Sequence, residues 1–221
     1  KMIIDREIPN GKFMSVTVSK NSSNQYFASI LIETEVTPKV KTNKEVGIDL
    51  GIKVFATQSD GIEISNPKFL RENQAKLRRL QQHLSRKQKG SHRYERCRLK
   101  IARLHTKIVN QRDWYLHNYT TFLVNNYDRI FIEDLNVNGM LKNHCLASAI
   151  SDVSWSKFVS ILEYKCNWYG KKLTKIDRFF ASSKTCKCGA KNDDLKLSNR
   201  EWTCKSCGAV NQRDLLAAQN I

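Results

Sequence analysis

The stretch VGIDLGIKVFATQSDGIEIS, Val46 to Ser65, decides the reading of this 221-residue chain. Its apolar and β-branched residues, cut by turn signals at Gly51 and at Asp60-Gly61, predict two or three short strands. One residue breaks the pattern: Asp49 stands between Ile48 and Leu50 in the first strand. An acid buried there without a partner costs on the order of several kcal/mol. It calls for a cation, a hydrogen-bond network or solvent.

Upstream, FMSVTVSK (Phe13 to Lys20) and YFASILIE (Tyr26 to Glu33) flank the turn-rich NSSN and predict a β-hairpin. The polar TPKVKTNKE (Thr37 to Glu45) reads as a linker. Downstream, residues 67–127 contain no Pro after Pro67 and a single glycine, Gly90. Leu70, Leu77, Leu80 and Leu84 recur at helical spacing, as do Leu99, Ile101, Leu104 and Ile108. Two long antiparallel helices turning near Lys89-Gly90-Ser91 follow. DRIFIEDL (Asp128 to Leu135) is a short apolar strand ending in acids, with Glu133 at its end. NVNGMLKNHCLASAIS reads as a loop with room for a short helical turn. Trp155 to Tyr169 has helical period and a stop at Gly170. Lys171 to Asp177 is a further strand, and RDLLAAQNI (Arg213 to Ile221) a closing helix.

Lys and Arg number 38 against 21 acids, for a formal charge of +17. Polyanions are the natural partners of such a surplus. Between Lys68 and Asp113 there are 15 cations and three acids, Glu72, Glu95 and Asp113. A charge run is ordinarily a solvated helix face. This one carries a single sign, which favours phosphate contact through Arg71, Lys76, Arg78, Arg79, Arg86, Lys87, Lys89, Arg93, Arg96, Arg98, Lys100, Arg103, Lys107 and Arg112. Hydrophobic residues make up 40%, enough for a real core. No apolar run reaches the ~18 residues of a membrane span, so no membrane partner is expected. The opening KMIIDREIPNGKFMSV lacks the apolar run of a secretion signal, and its first residue is Lys rather than Met, which leaves open whether an upstream portion is missing.

Four of the seven cysteines, Cys186, Cys188, Cys204 and Cys207, fall within 22 residues. The pattern C-x-C, 15 residues, C-x₂-C, with Gly189 and Gly208 after the pairs, suits a structural, tetrahedral Zn²⁺ site in a reducing compartment. A redox or unliganded role is the other reading. Cys97, Cys145 and Cys166 are expected to be small core residues. His83, His92, His105, His117 and His144 are expected at the surface or in the core rather than as ligands.

Asp49, Glu133 and Asp214 each have an ordinary explanation, as strand-end acids near water or as an acid favoured by a helix N-terminus. Taken together, their order along strands, helical insertion and closing helix resembles the RNase H-like nuclease fold. Three carboxylates from separate elements can hold two Mg²⁺ ions about 4 Å apart. The pieces VGIDLGIKVFATQSDG (46–61), IFIEDLNVNGM (130–140), SSKTC with the cysteine pairs (182–207) and RDLLAAQNI (213–221) resemble the C-terminal part of the transposon-encoded TnpB (OrfB) proteins. Those proteins are related to type V CRISPR effectors.

The resemblance implies an α/β architecture: an RNase H-like (RuvC) mixed sheet with a basic helical insertion and a zinc-ribbon insert, preceded by a partial wedge β-hairpin. The implied divisions are a wedge-like segment at 1–40, a RuvC-like domain at 41–180 with its insertion at 67–127, a zinc ribbon at 181–212 and a closing helix at 213–221. It further implies a metal-dependent, RNA-guided DNA endonuclease, with guide RNA and target DNA as partners, in the nucleoid-associated cytoplasm of a prokaryotic cell. Asp49, Glu133 and Asp214 become the Mg²⁺-binding catalytic acids. Where the family usually reads D-R-D-x-N-A-A, this chain has Gln212 and Leu216 in place of an acid and an amide. That departure keeps open a cleavage-deficient RNA-guided DNA-binding protein, as repressor or transposon remnant. The Tyr-His-His signature of the companion single-strand transposase is missing, so strand transfer is not favoured.

Overall fold

A computed structural model describes residues 7–196 and 199–221. The first six residues of the predicted wedge-like segment, and residues 197 and 198 of the predicted ribbon, lie outside the described residues. The chain divides into two compact units. One takes in residues up to 37 together with 72–113; the other takes in 38–71 and 114–221.

The first unit contains the hairpin of β1 (Lys12–Lys20) and β2 (Tyr26–Glu33), which pair antiparallel. Its turn is organised by Asn21, whose Oδ1 accepts the backbone N–H groups of Ser23 and Gln25 at 3.0 Å each. This is the local side-chain competition that makes Asn a turn residue. The unit also contains most of α1 (Phe69–Ser85) and the first part of α2 (His92–Asn126). The six residues between the two helices match the turn expected at Gly90. Across that turn Cys97 Sγ lies 3.5 Å from the Leu80 carbonyl, so α2 folds back along α1. Leu77, Cys97, Ala102, Leu104 and Ile108 are buried.

The second unit is a mixed five-stranded sheet in the order β5-β4-β3-β6-β7. β3 (Glu45–Leu50), β4 (Val54–Gln58) and β5 (Glu63–Ser65) form an antiparallel meander. β6 (Arg129–Glu133) and β7 (Lys172–Ile176) join β3 in parallel. Period-two alternation divides β3 between two faces. Val46, Ile48 and Leu50 enter the core; Gly47 and Asp49 face the other way. β6 does the same, with Ile130 and Ile132 fully buried in the core.

That core is covered by the C-terminal part of α2 and by α5 (Trp155–Tyr169). Leu116, Leu123 and Val124 come from α2, and Phe158 and Leu162 from α5. Phe55 sits edge-on to Tyr119 and Phe158 at centroid distances of 5.9 and 5.4 Å. The loop expected after β6 holds more helix than the sequence suggested. α3 (Val137–Met140) and α4 (Ala147–Val153) form there, and α4 buries Ile150 and Val153. The buried Asp152 of α4 accepts the Leu70 and Arg71 N–H groups, which caps α1.

The opposite face of β3 is covered by α6 (Arg213–Asn220). Contact is at the level of the backbone. A β-carbon added at Gly47 would stand 2.1 Å from the Ala218 carbonyl oxygen. Only glycine permits that approach. Gly47→Ala should therefore push α6 outward and lower stability by about 1–3 kcal/mol, the usual cost of overpacking. Thermal denaturation of the variant checks this; an unchanged Tm would show that the helix is not seated there.

Candidate functional site

The sheet register sets the site. Ile48 pairs with Ile132 across the parallel β3–β6 ladder, and Asp49 and Glu133 are the next residue on each strand. They occupy the same end of adjacent strands, on the face that α6 covers. Asp214 lies in the first turn of α6, one helical turn before the Ala218 that meets Gly47.

The three acids feel one another. Burial raises the Asp49 carboxyl to about 7, and the charges of Glu133 and then Asp214 push it the same way. Arg213 and Arg200 pull it down, without offsetting the rise. A half-buried acid beside two others is a group short of positive charge, which suits a bound cation. The remaining oxygens are partly engaged by protein. Ser182 Oγ donates to Glu133 Oε1 at 2.6 Å. Arg200 donates to both oxygens of Asp214, at 3.0 and 2.8 Å. The carboxylates share one end of the sheet without closing tightly on a single point.

Ser182 and Arg200 were not singled out by sequence reasoning. Ser182 reaches Glu133 only because the segment after β7 turns back, and periodicity carries no trace of that. Arg200 lies 14 residues from Asp214 across the β8–β9 hairpin, with no local signal.

The cysteine group is gathered more tightly. The four sulfur atoms all lie within 4.8 Å of one another, and Cys186–Cys207 and Cys188–Cys204 are each 3.7 Å apart. A tetrahedral zinc with Zn–S bonds of about 2.3 Å needs sulfurs about 3.8 Å apart. The two 3.7 Å spacings, each between one cysteine of the C-x-C pair and one of the C-x₂-C pair, meet that requirement. Gly189 and Gly208 have φ of 86° and 71°, so the chain turns sharply after each pair. β8 (Glu201–Thr203) and β9 (Val210–Gln212) form the hairpin beside the cluster. Trp202, Leu195 and Leu216 bury Cys186 and Cys204. The Cys188 N–H directed at Cys186 brings that thiol down to about 6. Among the described residues, no other group of His, Cys, Asp or Glu converges in this way.

All five histidines are exposed. Cys97 and Cys166 are buried as expected, but Cys145 is exposed, which corrects its assignment to the core. It lies between α3 and α4, in a segment that contributes Ile150 and Val153 to the interior and leaves Asn143 to Leu146 in solvent. Twelve of the fourteen cations predicted on the helices are exposed; Lys87 and Arg112 are half-buried. Arg98 pairs with Glu95 at 2.7 Å.

A family profile described as OrfB_IS605, probable transposase, matches residues 29–144. A second, described as Cas12f1-like, TNB domain, matches residues 155–221. A Streptomyces pristinaespiralis protein named "Putative RNA-guided DNA endonuclease" is 46% identical over 98% of this chain and 54% of its own length. InsQ of Escherichia coli (strain K12), with the same designation, is 34% identical over 96% of this chain and 56% of its own length. The chain thus spans about half the length of the curated relatives it matches. The solved Cas12f1–sgRNA–target DNA complex shares the fold, with a TM-score of 0.58 at 18% identity over 93% of this chain and 44% of that one. No helix among the described residues is long and apolar enough to cross a membrane.

The electrostatics of Asp49 give a pH-dependent expectation. Its folded-state pKa lies above the ordinary carboxylate range, so folding favours the protonated form. The associated stability is present below about pH 4 and lost as pH rises to 7. In metal-free buffer Asp49→Asn should match the parent near pH 4 and melt several degrees higher at pH 8. Equal melting temperatures at pH 8 would show that Asp49 is not strained by its neighbours.

Proposed function

Because this chain belongs to the OrfB_IS605 family, we propose that it is the nuclease-bearing part of an RNA-guided DNA endonuclease. The observation that carries this reading is Asp49, desolvated beside Glu133 and Asp214. The mixed sheet with its closing helix is read as a RuvC-like domain spanning 41–180 and 213–221, with the basic helices inserted at 67–127. Residues 181–212 are read as a zinc ribbon, and the hairpin within 1–40 as a partial wedge. Guide RNA and target DNA are the proposed partners, and the exposed cations of α1 and α2 would hold their phosphates without reading sequence. Guide pairing would supply specificity.

Asp49, Glu133 and Asp214 would hold Mg²⁺, which when bound supplies an activated water and stabilises the leaving oxygen of a phosphodiester. The chain's own groups prepare that site. The Ser182 hydroxyl fixes one oxygen of Glu133 and leaves the other available. Arg200 neutralises Asp214 until the acid is engaged. The α6 backbone on Gly47 keeps Asp214 in position along the strand. Cys186, Cys188, Cys204 and Cys207 would hold a structural Zn²⁺ in a closed site that takes no part in chemistry.

A second reading, a cleavage-deficient guided DNA-binding protein, is favoured by the Arg200 pairing of Asp214 and by Gln212 and Leu216 in the closing motif. Reconstitution with guide RNA separates the two. Mg²⁺-dependent cutting of target DNA is expected, and Asp49→Ala should abolish cutting while leaving DNA binding largely intact. Retained cutting in that variant removes Asp49 from the chemistry; target binding without cutting by the parent selects the second reading.

Protein purified without chelator should contain one zinc per chain by atomic absorption. Cys204→Ser should lose the metal and melt at lower temperature, since a structural zinc contributes directly to folding. A metal-free parent protein would refute the ribbon assignment.

A further inference from the structure

The segment after β7 leaves the sheet at the end where the acids lie, since Ile176 is the register partner of Glu133. Residues 177–185 are held by a dense set of hydrogen bonds. Asp177 Oδ1 accepts the Phe179 N–H at 2.7 Å, and its carbonyl accepts the Phe180 N–H at 3.0 Å. Ser182 bonds Glu133 through its side chain, and Asn220 Nδ2 donates to the Ser182 and Thr185 carbonyls at 2.7 Å each. Arg178 pairs with Asp134 at the end of β6.

This braced turn holds two phenylalanines in water. Phe179 is 87% exposed and Phe180 46%. Neither has an aromatic partner among the described residues. Burying such a ring would gain about 1.5–3 kcal/mol, yet the turn forbids it from folding back. Phe179 is three residues from Ser182, a span of at most about 11 Å, and Ser182 touches Glu133.

We infer that Phe179, with Phe180 beside it, is a stacking platform for an unpaired nucleobase of the strand presented to Asp49, Glu133 and Asp214. The inference rests on the nuclease reading above. A flat apolar ring held in water a few residues from phosphodiester-handling acids fits a base better than a peptide side chain. The chain's surplus of Lys and Arg, 38 against 21 acids, suits the anionic backbone that carries the base. Every base has a π-face, so the platform would be tolerant of sequence and would require a single strand. Its role is to position the strand within a few nucleotides of the bond to be cut.

The test uses the full chain in Mg²⁺-free buffer without chelator, so that cleavage plays no part and the cysteine site is left undisturbed. 2-Aminopurine is scanned through a single-stranded oligonucleotide, and its quenching and the binding affinity are measured. The parent protein should quench the probe at one or two positions and leave the corresponding duplex unquenched. Phe179→Ala and Phe179→Leu should lose that quenching and bind the single strand at least about fivefold more weakly, whereas Phe179→Trp should retain both. The position is exposed, so all three variants should keep the parent's melting temperature. Parent-like affinity and quenching in Phe179→Leu would overturn the platform while leaving the nuclease reading standing. Failure of the parent to bind single-stranded DNA at all would likewise overturn the platform, while the nuclease reading stands or falls on guided cutting.

Discussion

The contact on which the site depends is the seating of α6 against β3 at Gly47. Backbone meets backbone there, with no room for a β-carbon. From that point the two elements keep step. Four residues of helix rise about 6 Å and two residues of strand about 6.6 Å. Asp214, four residues before Ala218, and Asp49, two residues after Gly47, can therefore meet at one level. The charge of Asp214 felt at Asp49 agrees with this. The same helix sends Leu216 into the apolar cluster around Cys186 and Cys204. An eight-residue helix thus ties an acid to the sheet on one side and to the cysteine cluster on the other. Were the cysteines to hold a metal, its loss would loosen the support of Asp214 without touching the acid itself.

The acids are an unfavourable arrangement that the rest of the fold tolerates. Desolvation and two like charges raise Asp49, and the compensations come from residues far apart in sequence. Arg213 arrives from the start of α6 and Arg200 from the loop before β8, while Ser182, from the turn after β7, bonds Glu133 instead. None of these neutralises Asp49 fully. The raised carboxyl marks an unfavourable arrangement at this end of the sheet, of the kind that clusters at functional sites. The core on the opposite face, built on Ile48, Ile132, Phe55 and Phe158, is buried and aromatic-rich. It can bear that arrangement.

Much of this was legible in the sequence because it is local. Asp49 stood out as a charge in an apolar strand, the hairpin by alternation around an Asn-rich turn, and the helix pair by leucine spacing around Gly90. The cysteines were legible as a cluster, but the fit of the short C-x-C pair was not, since it depends on how the following turn at Gly189 closes. α3 and α4 were under-read because their apolar residues are few and interrupted by polar ones. Cys145 was misassigned because residue type predicts burial only on average, and it falls in a polar stretch between two short helices. Ser182, Arg200 and the exposure of Phe179 are products of tertiary folding. They become visible only once β7 is placed beside β6.

Leu216 gives the altered closing motif a physical meaning. An amide is usual at this position in the family, but here the side chain is buried among Cys186, Leu195, Trp202 and Cys204. An amide in that setting would require its own hydrogen-bond partners, and a leucine requires none. The leucine packs α6 against the cysteine module and leaves Asp214 in the first turn of that helix. Gln212, the second altered position, is an exposed cap residue whose side chain makes no capping hydrogen bond. Decay of an abandoned site would be expected to strike the costly, desolvated Asp49 first, because removing that charge relieves strain. The retained, desolvated Asp49 weighs for the nuclease reading, and the altered closing motif weighs for the cleavage-deficient one.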